Sequence, residues 1–209
     1  MTETNKRYYI WALVITVLLI YAVLYLVLIG KRQPTLIELL KLVPTTVTLE
    51  LLVFGAFKKW IWKWKILHPW FVVMPDLSGK WEGTLHYKWK GQEGDRDISL
   101  TIIQSFNHIV VKLETTESTS RSVAAFFDID ERRGIYDLYC TYINEPLITI
   151  QDRSKIHFGT TRLSFDLNVN TTIRGEYWTS RDTKGLILLT RVFAKRKRDK
   201  EIPINTSRI

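Results

Sequence analysis

Apolar residues run without a break from Tyr8 to Ile29, reading YYIWALVITVLLIYAVLYLVLI with no charge. A bilayer core about 30 Å thick needs about 20 apolar helical residues, so this run predicts a membrane-spanning helix. A signal peptide would have a shorter apolar region and a small-residue cleavage site. Here Lys31 and Arg32 follow the run directly. After the turn Lys31-Arg32-Gln33-Pro34-Thr35 a second stretch, Leu36 to Phe57, predicts a second span. Glu38, Lys41 and Glu50 interrupt it, and Pro44 lies in its first half. From Leu77 onward the apolar period changes from helical to two.

That second period predicts eight strands: 79–88, 96–104, 107–115, 120–129, 134–143, 155–167, 171–181 and 185–195. Turn residues separate them, as at Gly91-Gln92-Glu93-Gly94, Glu131-Arg132-Arg133-Gly134 and Asp182-Thr183-Lys184-Gly185. No helix is expected among them. Sequential strands on short turns make an up-and-down sheet, and closing eight of them removes the exposed edges. The expected fold is therefore two N-terminal transmembrane helices followed by an all-β, lipocalin-like barrel. The expected organisation is a transmembrane hairpin over 1–66 with spans at 8–29 and 36–57. A linker over 67–76, a ligand-binding barrel over 77–195 and a basic tail over 196–209 complete it.

Alternation proposes what points inward. The first strand gives Trp81, Gly83, Leu85 and Tyr87, and the fifth gives Tyr136, Leu138, Cys140 and Tyr142. The sixth gives His157, Gly159, Thr161, Leu163, Phe165 and Leu167; the seventh gives Ile173, Gly175, Tyr177, Thr179 and Arg181. The interior is apolar at one end and carries aromatic, hydroxyl and basic groups toward the other, the ingredients of a ligand pocket. The alternative is that tyrosines and threonines simply fill a small barrel.

Charge refines the membrane half. Lys6, Arg7, Lys58, Lys59, Lys63 and Lys65 flank the spans on one side, against Lys31 and Arg32 in the turn. The positive-inside rule then puts both termini in the cytoplasm of a multi-pass protein. Glu38 and Lys41 are neighbours on one helix face, and Glu50 lies near that face. Such groups within a span face other protein or water, or snorkel to the interface. Pro44 removes a backbone donor and predicts a kink. The stripe Glu38, Lys41, Pro44 and Glu50 is the candidate face for contact between subunits.

The chain's net charge of +9 would suit a nucleic-acid binder. It belongs instead to the membrane boundary and to the tail from Lys195 to Lys200, so no nucleic-acid polymer is expected as partner. Cys140 is the single cysteine, which excludes an intramolecular disulfide framework and suits a reducing compartment. His68, His86, His108 and His157 have no metal-ligand spacing, and no nucleophile elbow or phosphate loop appears. The expected protein is not an enzyme and has no cofactor or metal.

Gly79-Lys80-Trp81 resembles the Gly-x-Trp signature of lipocalin-like barrels. The two-span hairpin, the aromatic-basic link and Pro75-Asp76-Leu77-Ser78-Gly79-Lys80-Trp81-Glu82-Gly83 before an eight-stranded barrel resemble a wider architecture. So do His157-Phe158-Gly159-Thr160-Thr161 and Gly175-Glu176-Tyr177-Trp178-Thr179-Ser180-Arg181. Together they look like the two-transmembrane, β-strand-rich effector of bacterial CBASS antiphage defence. The resemblance implies that a partner nucleotidyltransferase makes a cyclic oligonucleotide, which the barrel binds. It further implies that the protein forms a homo-oligomer on activation and disrupts the lipids of the bacterial inner membrane, killing the cell.

A cyclic dinucleotide offers flat bases and two phosphates. Bases stack on aromatic rings or guanidinium planes, and phosphates take arginine and hydroxyl donors. On that chemistry the candidate ligand-binding residues are Trp81, Tyr87, Tyr142, Thr160, Thr161, Tyr177, Thr179 and Arg181. The competing function is a membrane-tethered lipocalin-like binding module for a lipid or other small apolar ligand. An open interior lined by arginine and hydroxyl donors separates the first reading from a carrier and from a filled barrel.

Overall fold

A computed structural model describes residues 3–28, 30, 33–68, 70–130, 133–166 and 171–193. The basic tail, the turn cations Lys31 and Arg32, Leu167 and the side chains of Lys6 and Arg7 lie outside the described residues. The chain divides into two compact units. One comprises the N-terminal residues through Asp76 together with Gln104–Ile109; the other comprises the remaining residues from Leu77 onward.

In the first unit α1 spans Glu3–Leu28 and α2 spans Leu36–Lys59. Within α1, Tyr8–Leu28 has a mean hydropathy of 2.7 and is long and apolar enough to cross a membrane. It is the one described helix that is. α2 is long enough, but Glu38, Lys41 and Glu50 along it and Lys58 and Lys59 at its end dilute its apolarity. Thr35 starts α2 through a capping box: its hydroxyl accepts from the Glu38 amide, and its own amide donates to the Glu38 carboxylate at 3.0 Å. Glu38 therefore satisfies helix-terminal donors. Pro44 sits inside α2, which continues as helix on both sides of it.

Beyond α2 the segments Ile61–Lys63 and Lys65–Leu67 each form one 3-10 turn. Tyr9, Phe57, Phe71 and Phe106 meet edge to face, with centroid separations of 4.9 to 6.0 Å. The Tyr9 hydroxyl donates to the Phe71 carbonyl at 2.9 Å, and the Phe106 amide donates to the Lys58 carbonyl near the C-terminus of α2.

The second unit is an eight-stranded antiparallel barrel. The strands are β1 Gly79–Trp89, β2 Gln92–Ser105, β3 His108–Glu114 and β4 Ser118–Asp130. They continue as β5 Ile135–Pro146, β6 His157–Phe165, β7 Thr172–Thr179 and β8 Lys184–Val192. Each pairs with the next, and β8 pairs with β1 to close the sheet.

Strand bounds shift from expectation, and three differences bear on the site. Lys90 and Gly91 both have positive φ, so β1 and β2 join through a two-residue hairpin turn and β2 starts at Gln92. Gln92 to Gly94, expected as turn, lies in the strand. β7 ends at Thr179, which places Arg181 in the β7–β8 turn rather than on a strand. One 3-10 turn, Ile148–Ile150, interrupts the connection between β5 and β6.

The core sits at one end of the barrel. Trp81, Leu100, Ile102, Leu138, Leu163 and Ile173 are almost wholly buried. Trp81 donates its indole N–H to the Leu77 carbonyl at 3.0 Å, and the Arg191 guanidinium lies 5.2 Å from its ring centroid. A buried Trp is stable when its one polar atom is paired, as it is here. This plug closes one end and leaves the other to polar groups.

Candidate ligand-binding site

The other end of the barrel opens into a cavity of about 220 Å³. The barrel is therefore not filled by its own side chains. Six of the eight residues proposed from chemistry line it: Tyr87, Tyr142, Thr161, Tyr177, Thr179 and Arg181. Trp81 and Thr160 do not. Trp81 belongs to the plug, with no exposed surface. Thr160 precedes Thr161 on β6, so period two turns it outward, where its hydroxyl lies 3.4 Å from that of Thr141.

Three tyrosines stand side by side because of the register. Tyr87 opposes Gly94 on β2 and Gly185 on β8, Tyr142 opposes Gly159 on β6, and Tyr177 opposes Gly185 on β8. Each ring occupies the space that a cross-strand side chain would need. Burial raises the Tyr177 phenol to about 12, with the nearby Arg96 and Arg181 opposing the rise. Burial also raises Tyr142, and Tyr177 adds to the effect. Both phenols are neutral hydrogen-bonding groups at physiological pH.

Arg181 is positioned by the turn that carries it. The Thr179 hydroxyl accepts from the amides of Arg181 and Thr183 at 3.3 and 3.2 Å. Asp182 adopts φ of 61°, which reverses the chain. The guanidinium then donates to the Ser154 hydroxyl at 2.8 Å and lies 5.8 Å from the Trp89 ring centroid. Its Nε is buried with no hydrogen-bond partner. Burial depresses its pKa, though an arginine stays charged. A half-buried cation with a buried, unpaired Nε donor favours an anionic ligand.

Alternation along β1, β5, β6 and β7 leaves out Arg96, although Arg96, Ile98, Leu100 and Ile102 share one face of β2, a periodic signal that marks it. Arg96 lies 5.4 Å from the Tyr87 ring centroid, and its Nη1 is 2.6 Å from Glu117 Oε2. Arg153, from the turn after Ile148–Ile150, reaches Glu117 Oε1 at 2.6 Å. Nothing periodic marks Arg153 or Glu117, since both are turn residues. Asn144 completes this rim by donating to the Ser118 and Ser120 hydroxyls at 3.0 and 2.9 Å.

His157 also lines the cavity, and its Nδ1–H donates to the Lys155 carbonyl at 2.9 Å. Burial lowers its pKa, so the imidazole is neutral near pH 7. Among the described residues no group of His, Cys, Asp and Glu is arranged to hold a metal ion. The surface thus offers aromatic faces, hydroxyls and three guanidiniums, a set that suits an anionic ligand with flat rings.

Known proteins are similar to this chain in sequence. Residues 72–191 match the family described as Cap15, cyclic dinucleotide receptor domain. The CD-NTase-associated protein 15 of Staphylococcus schleiferi is 35% identical over 147 residues, which cover 70% of this chain and 77% of that protein. The protein of the same name from Yersinia aleksiciae is 29% identical over 144 residues, 66% of this chain and 65% of that one. The matched region holds β1 to β7 and nearly all of β8, and with them the whole cavity, so this chain belongs to the Cap15 cyclic dinucleotide receptor family of CBASS effectors.

Proposed function

We propose that this chain is a membrane effector of antiphage defence whose barrel binds a cyclic dinucleotide, or a related cyclic oligonucleotide, made by a partner nucleotidyltransferase. The cavity is the site, and Arg181 with Arg96 and the three tyrosines supplies the contacts. The chain senses rather than catalyses. The observation that carries this reading is the meeting of three guanidiniums and three tyrosines in one cavity. A lipid carrier would have to bury those cations beside an apolar ligand, at a cost of several kcal/mol each.

In the same proposal both helices span the inner membrane, with the termini cytoplasmic. The 24 residues of α2 give about 36 Å at 1.5 Å per residue, enough for the bilayer. Ligand binding drives barrels together, the homo-oligomer clusters the helices, and the inner membrane is disrupted, killing the cell. Lys59 over Trp60 and the exposed Trp64 and Trp70 supply an interfacial belt at the end of α2.

The test is a thermal-shift screen of the detergent-solubilised full chain against cyclic di- and trinucleotides. A ligand at 100 times its Kd stabilises by about 2.7 kcal/mol. Absence of a shift with every cyclic oligonucleotide would overturn the binding reading. Activity of alkaline phosphatase fused after Ile209 would overturn the topology.

A further inference from the structure

Glu117 is the one carboxylate in a cavity wall that otherwise collects cations. Among the described lining residues the charged groups are Arg96, Arg153, Arg181 and Glu117. His157 is held neutral by its burial. Three guanidiniums against one carboxylate leave the cavity at +2 near neutral pH.

The carboxylate is built into the wall. The Thr115 hydroxyl accepts from the Glu117 and Ser118 amides at 3.1 and 2.9 Å, and the Glu117 carbonyl accepts from the Leu147 amide at 2.8 Å. The backbone of the β3–β4 turn is thus fixed without help from the side chain. The side chain then divides its two oxygens, Oε2 to Arg96 and Oε1 to Arg153, each at 2.6 Å. A bridging carboxylate in this place does what one phosphodiester of a ligand would do. It neutralises one guanidinium's worth of charge and leaves the cavity short of a match for a third phosphate.

We propose that Glu117 is a specificity-determining residue: an internal counter-anion that sets the cavity charge for a ligand with two phosphodiesters and against one with three. The proposal rests on the reading of the cavity as a cyclic-oligonucleotide site. A cyclic dinucleotide carries two negative charges and leaves no excess beside the +2 wall. A cyclic trinucleotide carries three, and its third phosphate must displace Glu117 or lie beside it, in a site where like charges are poorly screened. Selectivity between the two ligands should therefore follow the charge of the wall.

The experiment measures the Kd of one cyclic dinucleotide and one cyclic trinucleotide for the full chain in detergent at several salt concentrations. Three proteins form a charge series: Glu117→Gln at +3, the unaltered chain at +2, and Arg153→Gln at +1. Glutamine keeps an acceptor for one arginine, and Arg153 is well exposed in a turn, so the pair does not depend on a single variant folding. The expected result is that Glu117→Gln tightens trinucleotide binding about tenfold more than dinucleotide binding, with a steeper salt dependence. Arg153→Gln should shift the ratio in the opposite sense. A ratio of the two constants that is the same across the series, or dinucleotide binding weakened by Glu117→Gln at unchanged melting temperature, overturns the proposal. Failure of the unaltered chain to bind any cyclic oligonucleotide would instead defeat the functional reading on which it rests.

Discussion

The Tyr142 ring lies against the backbone of Gly159, its cross-strand neighbour, so closely that a Cβ built on Gly159 would stand 2.4 Å from the phenol oxygen. Tyr87 covers Gly94 in the same way, at 2.7 Å. A glycine in a strand is ordinarily a weak point; an aromatic ring packed over it restores buried surface and fixes the ring. Here the same device sets the tyrosines of the cavity wall. Their orientation is a property of the sheet register rather than of any loop.

Gly159→Ala should therefore damage the site before it damages the fold. The new methyl forces the Tyr142 ring off its seat, an overpacking change costing about 1–3 kcal/mol. Thermal denaturation should report that modest loss, while cyclic dinucleotide affinity falls well beyond it. A variant that binds as tightly as the unaltered chain would remove Tyr142 from the wall's working part.

Arg181→Ala and Trp81→Ala should separate binding from stability. Arg181 faces the cavity with an unpaired Nε, and its loss removes a charge-assisted contact, about ten- to a hundredfold in affinity, with little change in melting. Trp81 plugs the opposite end, and truncating it should cost about 3–5 kcal/mol of stability. Calorimetric titration beside thermal melting checks both, and retained affinity in Arg181→Ala would take Arg181 out of the site.

His157 should make the barrel sensitive to acid. Its pKa in the folded state is depressed, by burial first and by Arg181 second, with the Lys155 carbonyl opposing. A depressed folded value means that the neutral ring contributes stability above the unfolded value of about 6.5, and that this is lost as pH falls through the folded value. The melting temperature should drop as pH falls below about 6.5, and His157→Gln should flatten that drop. Parallel pH profiles for the two proteins would show that other groups carry the acid response.

Cys140 should resist thiol reagents. The side chain is buried on β5, and burial pushes its thiol up to about 12. Only the thiolate is reactive, so a maleimide near pH 8 should label the unfolded chain and leave the native protein untouched. Rapid native labelling would mean that the barrel opens there.

Glu50 offers a test of the membrane half. One of its carboxylate oxygens is buried without a hydrogen-bond partner in α2. Polar groups between membrane helices contribute about 0.6–2 kcal/mol each, too little to assemble resting protein but useful once barrels associate. Glu50→Leu should keep ligand binding and reduce ligand-dependent crosslinking in membranes. Equal crosslinking and equal permeabilisation would mean that Glu50 has no part in assembly.

The linear order of apolar and polar positions was enough for the elements. The charge-free run from Tyr8 and the change of period at Leu77 are local properties, and hydrogen bonding within a helix or between adjacent strands follows from them. Alternation along β1, β5, β6 and β7 likewise put Tyr87, Tyr142, Thr161 and Tyr177 on the inner face, because side chains alternate strictly along a strand. It also counts against Thr160, whose neighbour Thr161 takes the inner face. Period two could not separate Trp81 from Tyr87, which share that face; only the closed barrel shows that one end is plugged by Leu77, Trp81 and Ile173 while the other stays open. Nor could it bring Arg153 and Glu117 to Arg96. Two of those three stand in turns, where no periodicity applies, and they meet only because β4–β5 pairing, with Ser118 opposite Pro146, carries the β3–β4 turn and the β5–β6 connection to the same rim.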